Sequence, residues 1–493
     1  MTWSSDAFRR IAERVRRRTG LVFPADRRPE VEASIRRQMA RLGIGDTARY
    51  LARIESDGVA RDALVAELTV GESYFFRDPD QFRIIRDRIV PELAAADGER
   101  PLRCWSAGCS AGEEPYSLAI LLEELGVGDA FILGTDIARP RLLQAQRGDY
   151  SRWSLRGLPE PTVIRYFRRV GNRFHLVPRI RERVRFGYLN LAEDRYPSLG
   201  SDVWSMDLIL CRNVLIYFDA PTVAEVLHRL VETLTPEGWL LLGASDPVVS
   251  DTTRCEAVLT PAGLAYRRRV DGAVVPAPSP PAARTPPPPA ASAPDRPRPP
   301  ARPIEPRVRI RPEEREPAAS PPATGDLPIE DVRRLYGEGR YTEAATAAAR
   351  ALAEGGSEPE LWTIRARALA NVGELEEAGR VTARGLEEVG PTAGLLYIES
   401  VLLAHANQPE EAAAAARRAL YLEPGMIVAH LAYADALDRL GRHGTARRAL
   451  RNASELLAEL DSDQPVPDAD GEAAGRLGEL VRVRRRLLDE VGQ

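Results

Sequence analysis

Fourteen residues, Cys104-Trp-Ser-Ala-Gly-Cys-Ser-Ala-Gly-Glu-Glu-Pro-Tyr-Ser117, restrict the fold of this chain more than any other stretch. Leu102 to Ala107 is a short apolar run after Pro101 and reads as a buried strand. Gly108 and Gly112 remove a Cβ where that strand must turn sharply and where a ligand can approach the backbone. A helix follows: Glu113 and Glu114 favour its first turn, Pro115 is tolerated there, and Leu118, Ile120, Leu121, Leu122 and Leu125 give it an apolar face. A second apolar run, Ala130 to Leu133, leads into Gly134-Thr-Asp136. Asp136 lies 24 residues past Gly112, where a dinucleotide-type fold places the acid that holds ribose hydroxyls. The glycine spacing is Gly108-x-x-x-Gly112 rather than GxGxxG, and no basic residue follows the turn to hold a phosphate. A phosphate-poor cofactor such as S-adenosylmethionine therefore fits better than NAD. A glycine turn alone also suits a plain strand-to-helix connection; Asp136 favours the pocket.

Composition removes several chemistries. The chain has 493 residues, enough for two to four domains, and a formal net charge of −4, too small to select nucleic acid or an anionic membrane. It contains no lysine, which excludes a Walker lysine and Schiff-base or pyridoxal chemistry. Cys104, Cys109, Cys211 and Cys255 lack paired CxxC spacing and no secretory apolar region opens the sequence, so a reduced cytoplasmic protein is expected. The five histidines are scattered, and no metal site is expected. No run approaches the ~20 apolar residues of a membrane span, so direct insertion is not expected.

Four regions follow. Residues 1–85 read as small helices, with stripes Phe8, Ile11, Val15 and Val31, Ile35, Met39. Their other faces carry many arginines, either a solvated surface or a docking surface for an acidic partner. Residues 86–270 alternate apolar runs with helical stretches, which predicts a wound α/β sheet. Within it, Arg173 to Val177 and Arg183 to Tyr188 read as antiparallel strands of a small β insertion over about 150–188. Residues 271–326 hold between a third and a half of the 40 prolines and predict a disordered, extended tether. In 327–460, Ala344, Ala378, Ala412 and Ala446 recur every 34 residues, and Gly339, Gly373 and Gly441 precede three of them by five. That is the spacing of tetratricopeptide helix-turn-helix units, although Asn407 replaces the glycine of the third unit. Residues 461–493 end in an amphipathic helix that would cap the solenoid.

Taken together, Thr69-Val-Gly-Glu-Ser-Tyr-Phe-Phe-Arg-Asp78, Trp105 to Ser117, Gly134-Thr-Asp-Ile137 and Cys211-Arg-Asn-Val-Leu-Ile-Tyr-Phe-Asp219 closely resemble the CheR-type chemoreceptor glutamate methyltransferases over residues 1 to about 268. The resemblance implies an all-α amino-terminal domain, an α/β Rossmann-like methyltransferase domain with a small antiparallel β insertion and, here, an α-solenoid of tetratricopeptide repeats at the carboxyl end. It implies S-adenosylmethionine as methyl donor, S-adenosylhomocysteine as product, no metal, and glutamates on the cytoplasmic helices of methyl-accepting chemotaxis receptors as substrate. An unidentified protein partner of the repeats and recruitment to membrane receptor arrays also follow from it.

Carried over by motif, Ser73 and Arg77 face the methionine end of the cofactor, with Arg77 near its carboxylate. Gly71 belongs to the same segment but stands where the better-known motif has Asn, so an amide contact is missing. Glu113 is expected near the cofactor ammonium, Asp136 on the ribose, Asn190 and Leu191 beside the adenine, Cys211 and Arg212 next to the methyl group, and Tyr217 on the substrate side. Arg77 and Tyr217 are the expected catalytic residues. For Arg77 a surface pair with Asp78 or Asp80 is the competing reading, and for Tyr217 an ordinary strand-end tyrosine. Where a nucleic-acid amino-methyltransferase would carry Asp/Asn-Pro-Pro-Tyr this chain has Cys211-Arg-Asn-Val, which argues against nucleic acid. A methyltransferase-fold scaffold with weak or no catalysis is the alternative function.

Overall fold

The computed structural model describes residues 5–23, 27–69, 73–96, 100–249, 254–269, 329–356 and 358–491. The expected tether, 271–326, and Gly71 lie outside the described residues.

The amino-terminal part is helical, with Ser5–Thr19, Arg28–Arg41, Thr47–Ser56 and Gly58–Leu68. Asp46 and Asp57 cap the last two by accepting backbone N–H bonds. Ile11, Val15, Val31, Ile35 and Met39 meet in one core, as their three- and four-residue spacing requires.

The strands are β1 (Leu102–Ala107), β2 (Ala130–Asp136), β3 (Asp149–Ser151), β4 (Phe167–Val170), β5 (Arg173–Leu176), β6 (Val184–Tyr188), β7 (Met206–Cys211), β8 (Leu234–Leu242), β9 (Cys255–Thr260) and β10 (Gly263–Arg268). Among the described residues seven form one sheet in the order β6-β2-β1-β7-β8-β10-β9, with β6 to β8 parallel and the last two strands antiparallel. Alternate residues feed opposite cores: Leu208 and Leu210 pack on one face, Ile209 and Cys211 on the other. Burial on both faces explains why these strands read as continuous apolar runs rather than alternating ones.

The antiparallel insertion is the separate sheet β3-β5-β4. Arg183 to Tyr188, expected inside it, is instead largely β6, paired in parallel with β2 at the edge of the main sheet. Short length hid the difference, because the pairing direction of a five-residue strand is set by the chain it meets and not by its own pattern.

The repeat region contains helix pairs from Ile329–Gly337 to His443–Ala458, followed by Ala474–Val491. Ala344, Ala378, Ala412 and Ala446 are each fully buried where only a small side chain lets the helices approach. Asn407 has φ +57°, taking the same left-handed turn that Gly339, Gly373 and Gly441 take, so the missing glycine is made good by the residue that best tolerates that conformation after it. These helices pack directly on the methyltransferase-type domain: Leu199 and Trp204, from the segment before β7, lie inside the repeat core. Arg185 of β6 pairs with Asp435 at 2.5 Å, and the hydroxyl of Tyr341 donates to the Pro197 carbonyl at 3.2 Å.

Candidate active site

The strand order reverses direction between β1 and β7, and the loops after the carboxyl ends of β1, β2, β6 and β7 meet there around a cleft. That is where open α/β sheets bind ligands. Gly108, Ser110, Asp136, Asn190, Leu191, Asn213 and Tyr217 line it, with Thr19, Leu21 and Thr69 closing it from the helical domain.

The turn after β1 is built for close backbone approach. Gly108 has φ +79°, and a Cβ there would come within 2.4 Å of Val214. The amides of Gly108 and Cys109 donate to the Thr135 carbonyl at 2.8 and 2.9 Å, which locks the turn to the end of β2. Asp136 then accepts from the Ser110 amide at 2.8 Å and the Ala138 amide at 2.7 Å. Burial raises its carboxyl pKa, opposed chiefly by those two amides. Each oxygen still has lone-pair capacity facing the cleft for a hydroxyl donor.

Glu113 sits at the start of the helix Glu113–Glu124, where the helix dipole favours an anion. Burial raises its pKa, with its own backbone amide and the hydroxyls of Ser154 and Ser73 opposing the shift. Its Oε2 is buried and has no hydrogen-bond partner among the described residues, as do Ser110 Oγ and Asn213 Oδ1. Ser110 and Asn213 line the cleft with Asp136, whereas Glu113, Ser73 and Arg77 are not among its lining residues; the two orphaned oxygens beside the Asp136 carboxylate fit a polar nucleoside cofactor such as S-adenosylmethionine.

The other expected site residues fall into two groups. Asn190 and Leu191 line the cleft; the Asn190 side chain donates to the Arg18 carbonyl at 2.9 Å and so ties this wall to the helical domain. Tyr217 lines it too, with the Arg27 guanidinium 5.6 Å from its ring centroid and its phenol pKa raised by burial. Cys211 and Arg212 do not present side chains to this cleft. The Cys211 thiol is fully buried among apolar residues, which pushes its pKa up, and it can offer a ligand only its backbone. Arg212 donates to Glu114 at 3.1 Å, to the Arg77 carbonyl at 2.6 Å and to Asp78 at 2.5 Å. It anchors the Arg77 loop. One oxygen of Asp78 is held by Arg212, and one of Asp80 by Arg83 at 2.8 Å. Burial raises the pKa of both Glu114 and Tyr217, and the charge of Arg77 reaches each and opposes that rise.

Sequence reasoning passed over Ser110, Asn213 and Asp246. Asp246 accepts amides from Asn213, Val214 at 3.1 Å, Gly243 at 2.9 Å and Ile216 at 3.3 Å, and so shapes the loop after β7. Its signal was available: an acid three residues past Gly243 at the end of an apolar run, the same arrangement that singled out Asp136.

A parallel sheet with a ligand cleft at its switch point and a carboxylate closing its second strand defines a nucleoside-cofactor enzyme of the Rossmann-like class. Comparison with known families is more specific. Residues 71–263 match the CheR methyltransferase SAM binding domain, and residues 6–69 match the CheR methyltransferase all-alpha domain. Chemotaxis protein methyltransferase 1 of Pseudomonas aeruginosa is 36% identical over 260 residues, covering 51% of this chain and 93% of that protein. The chemotaxis protein methyltransferase of Salmonella typhimurium is 35% identical over 252 residues, 49% of this chain and 84% of that one. The probable biofilm formation methyltransferase WspC of Pseudomonas aeruginosa is 29% identical over 459 residues, covering 91% of this chain and 98% of its own length. The chain belongs to the CheR methyltransferase family.

Proposed function

We propose that this enzyme methylates glutamate side chains on the cytoplasmic helices of methyl-accepting chemotaxis receptors, and that its repeats bind a signalling partner that brings it to the receptor array. The observation that carries the reading is a cleft with a ribose-type carboxylate, Asp136, and no histidine among its described lining residues. Bound there, S-adenosylmethionine supplies a methyl group on a sulfonium, which an ionised glutamate accepts directly to give a methyl ester and S-adenosylhomocysteine. A glutamate with an ordinary pKa of about 4.3 is already ionised at neutral pH, so no general base is required.

The protein's task is alignment, where large effective-molarity gains arise. Asp136 holds the ribose hydroxyls; Asn190 and Leu191 wall the adenine. Glu113 and Ser73 take the ammonium end, and Arg77 takes the cofactor carboxylate and steadies the incoming glutamate. Tyr217 borders the substrate side. Arg212 acts through Arg77 and Glu114 rather than by touching the ligand, and Cys211 contributes backbone. The family resemblance, the named relatives and the partly orphaned polar lining support this assignment.

Incubation with methyl-labelled S-adenosylmethionine and membranes carrying the cognate receptors tests it. Base-labile label on a receptor band is the expected result, and label confined to other proteins or to nucleic acid rejects it.

A further inference from the structure

The segment Leu189–Ser205 has two ends with different neighbours. Its first residues, Leu189 to Leu191, line the cofactor cleft. Its far end is embedded in the repeats: Leu199 and Trp204 belong to the repeat core, and the Leu199 amide donates to Asp470 at 3.0 Å. Asp470 is fully buried in its side chain and also engages Arg367 at 2.6 Å, on the first helix of the second repeat unit. Both ends are therefore held, one by the catalytic domain and one by the repeats.

Asp194 joins them. Its Oδ2 accepts from the Asn190 amide at 2.7 Å and meets Nη1 of Arg476, on the carboxyl-terminal helix Ala474–Val491, at 3.3 Å. Arg476 is itself held by Glu472 at 2.8 Å and is 12% exposed. Arg229 fixes the backbone of the same turn, donating to the carbonyls of Asp194 at 2.7 Å and Ala192 at 3.1 Å. One carboxylate oxygen thus links a cleft-lining amide to an arginine outside the methyltransferase domain.

We infer that the docked repeats brace the Asn190–Leu191 wall of the cofactor cleft, with Asp194 as the positioning residue and Arg476 as its clamp, so that whatever binds the repeats can alter affinity for S-adenosylmethionine. The inference rests on the methyltransferase reading only in naming that ligand. Without Arg476, Asp194 keeps the Asn190 amide but loses its charge partner, and the Asn190–Leu191 wall samples more conformations. Affinity falls while the reacting groups stay in place.

The full-length chain with Arg476→Gln tests this by calorimetry, steady-state kinetics and amide hydrogen exchange. Kd and KM for S-adenosylmethionine should rise about tenfold with kcat within about twofold of the parent, inside the range of ordinary coupling between sites. The amides of Asn190 and Ala192 should exchange faster, Arg476→Lys should restore both readouts, and Arg482→Gln, an exposed arginine on the same helix, should leave both unchanged. Unchanged affinity and exchange in Arg476→Gln overturn the inference, as does faster exchange spread evenly over the chain, which reports general destabilisation. A parent that binds no S-adenosylmethionine defeats the functional reading instead, and exchange at Asn190 still decides the coupling.

Discussion

Arg212 and Glu114 form a buried ion pair at 3.1 Å between the end of β7 and the first turn of the helix that follows β1. The Ser106 hydroxyl donates to the other Glu114 oxygen at 2.6 Å. Burial raises the Glu114 pKa and the Arg212 charge opposes that rise. Removing Arg212 leaves the buried Glu114 carboxylate only the Ser106 hydroxyl and the more distant Arg77 charge, so Arg212→Ala should cost ~3–5 kcal/mol of stability, read from urea unfolding. The variant should also lose methyl transfer, because the Arg77 loop loses its anchor. A midpoint equal to the parent's would show that the pair is dispensable.

Asp136→Asn keeps the side-chain shape and one acceptor but loses the charge. Calorimetry should show S-adenosylmethionine affinity weakened by ~1.5–3 kcal/mol, the worth of a charge-assisted hydrogen bond. Unchanged affinity would remove Asp136 from the ribose site.

Arg77→Ala should lower methyl transfer by at least about tenfold while the fold persists, as expected for loss of a group that positions charge. Circular dichroism checks the fold and label transfer the rate. Turnover at the parent rate would reduce Arg77 to a surface residue.

The docking of the repeats should respond to pH at two buried groups with opposite signs. Burial raises the Glu472 pKa to about 7 from an ordinary 4.5, against Arg476 and with Asp194 adding to the rise. The fold prefers its protonated form, so that contribution is complete below about pH 4.5 and is lost as pH rises through about 7. His405, whose ring lies 5.3 Å from that of Trp204, is pushed down to about 2 from 6.5 by burial and by Arg103, Arg100 and Arg439. Its contribution is complete above about pH 6.5 and is lost as pH falls. Thermal unfolding should therefore show that Glu472→Gln removes the decline on the neutral side and that His405→Gln softens the decline on the acid side. Parallel profiles for all three proteins would place both groups outside the transition.

Much of this arrangement could be read along the chain because it is local. The Gly108 turn and the acid at the end of β2 are each written within one or two elements, the alanine period repeats one local unit every 34 residues, and the structure assembles them as their spacing requires. What escaped reading depends on contacts between distant segments. The parallel pairing of Val184–Tyr188 is set by β2, and the fate of Arg212 is set by Glu114 and Asp78. The same holds for the repeats. Arg365, Arg367, Arg380 and Arg384 form a basic cluster in the sequence, yet Arg365 and Arg380 pair with Glu377, Arg384 with Glu388, and Arg367 with Asp468 and Asp470. A tethered, freely standing module was the natural expectation from 271–326, whereas Leu199, Trp204 and Asp470 fasten the repeats to the catalytic domain.

The most direct test of the account is peptide mass spectrometry of receptor cytoplasmic domains after incubation with S-adenosylmethionine and the enzyme. The account predicts glutamate residues heavier by one methylene, reverting on mild base, and greatly reduced modification with the Asp136→Asn enzyme at limiting cofactor. Unmodified receptor glutamates alongside demonstrable S-adenosylmethionine binding would contradict it.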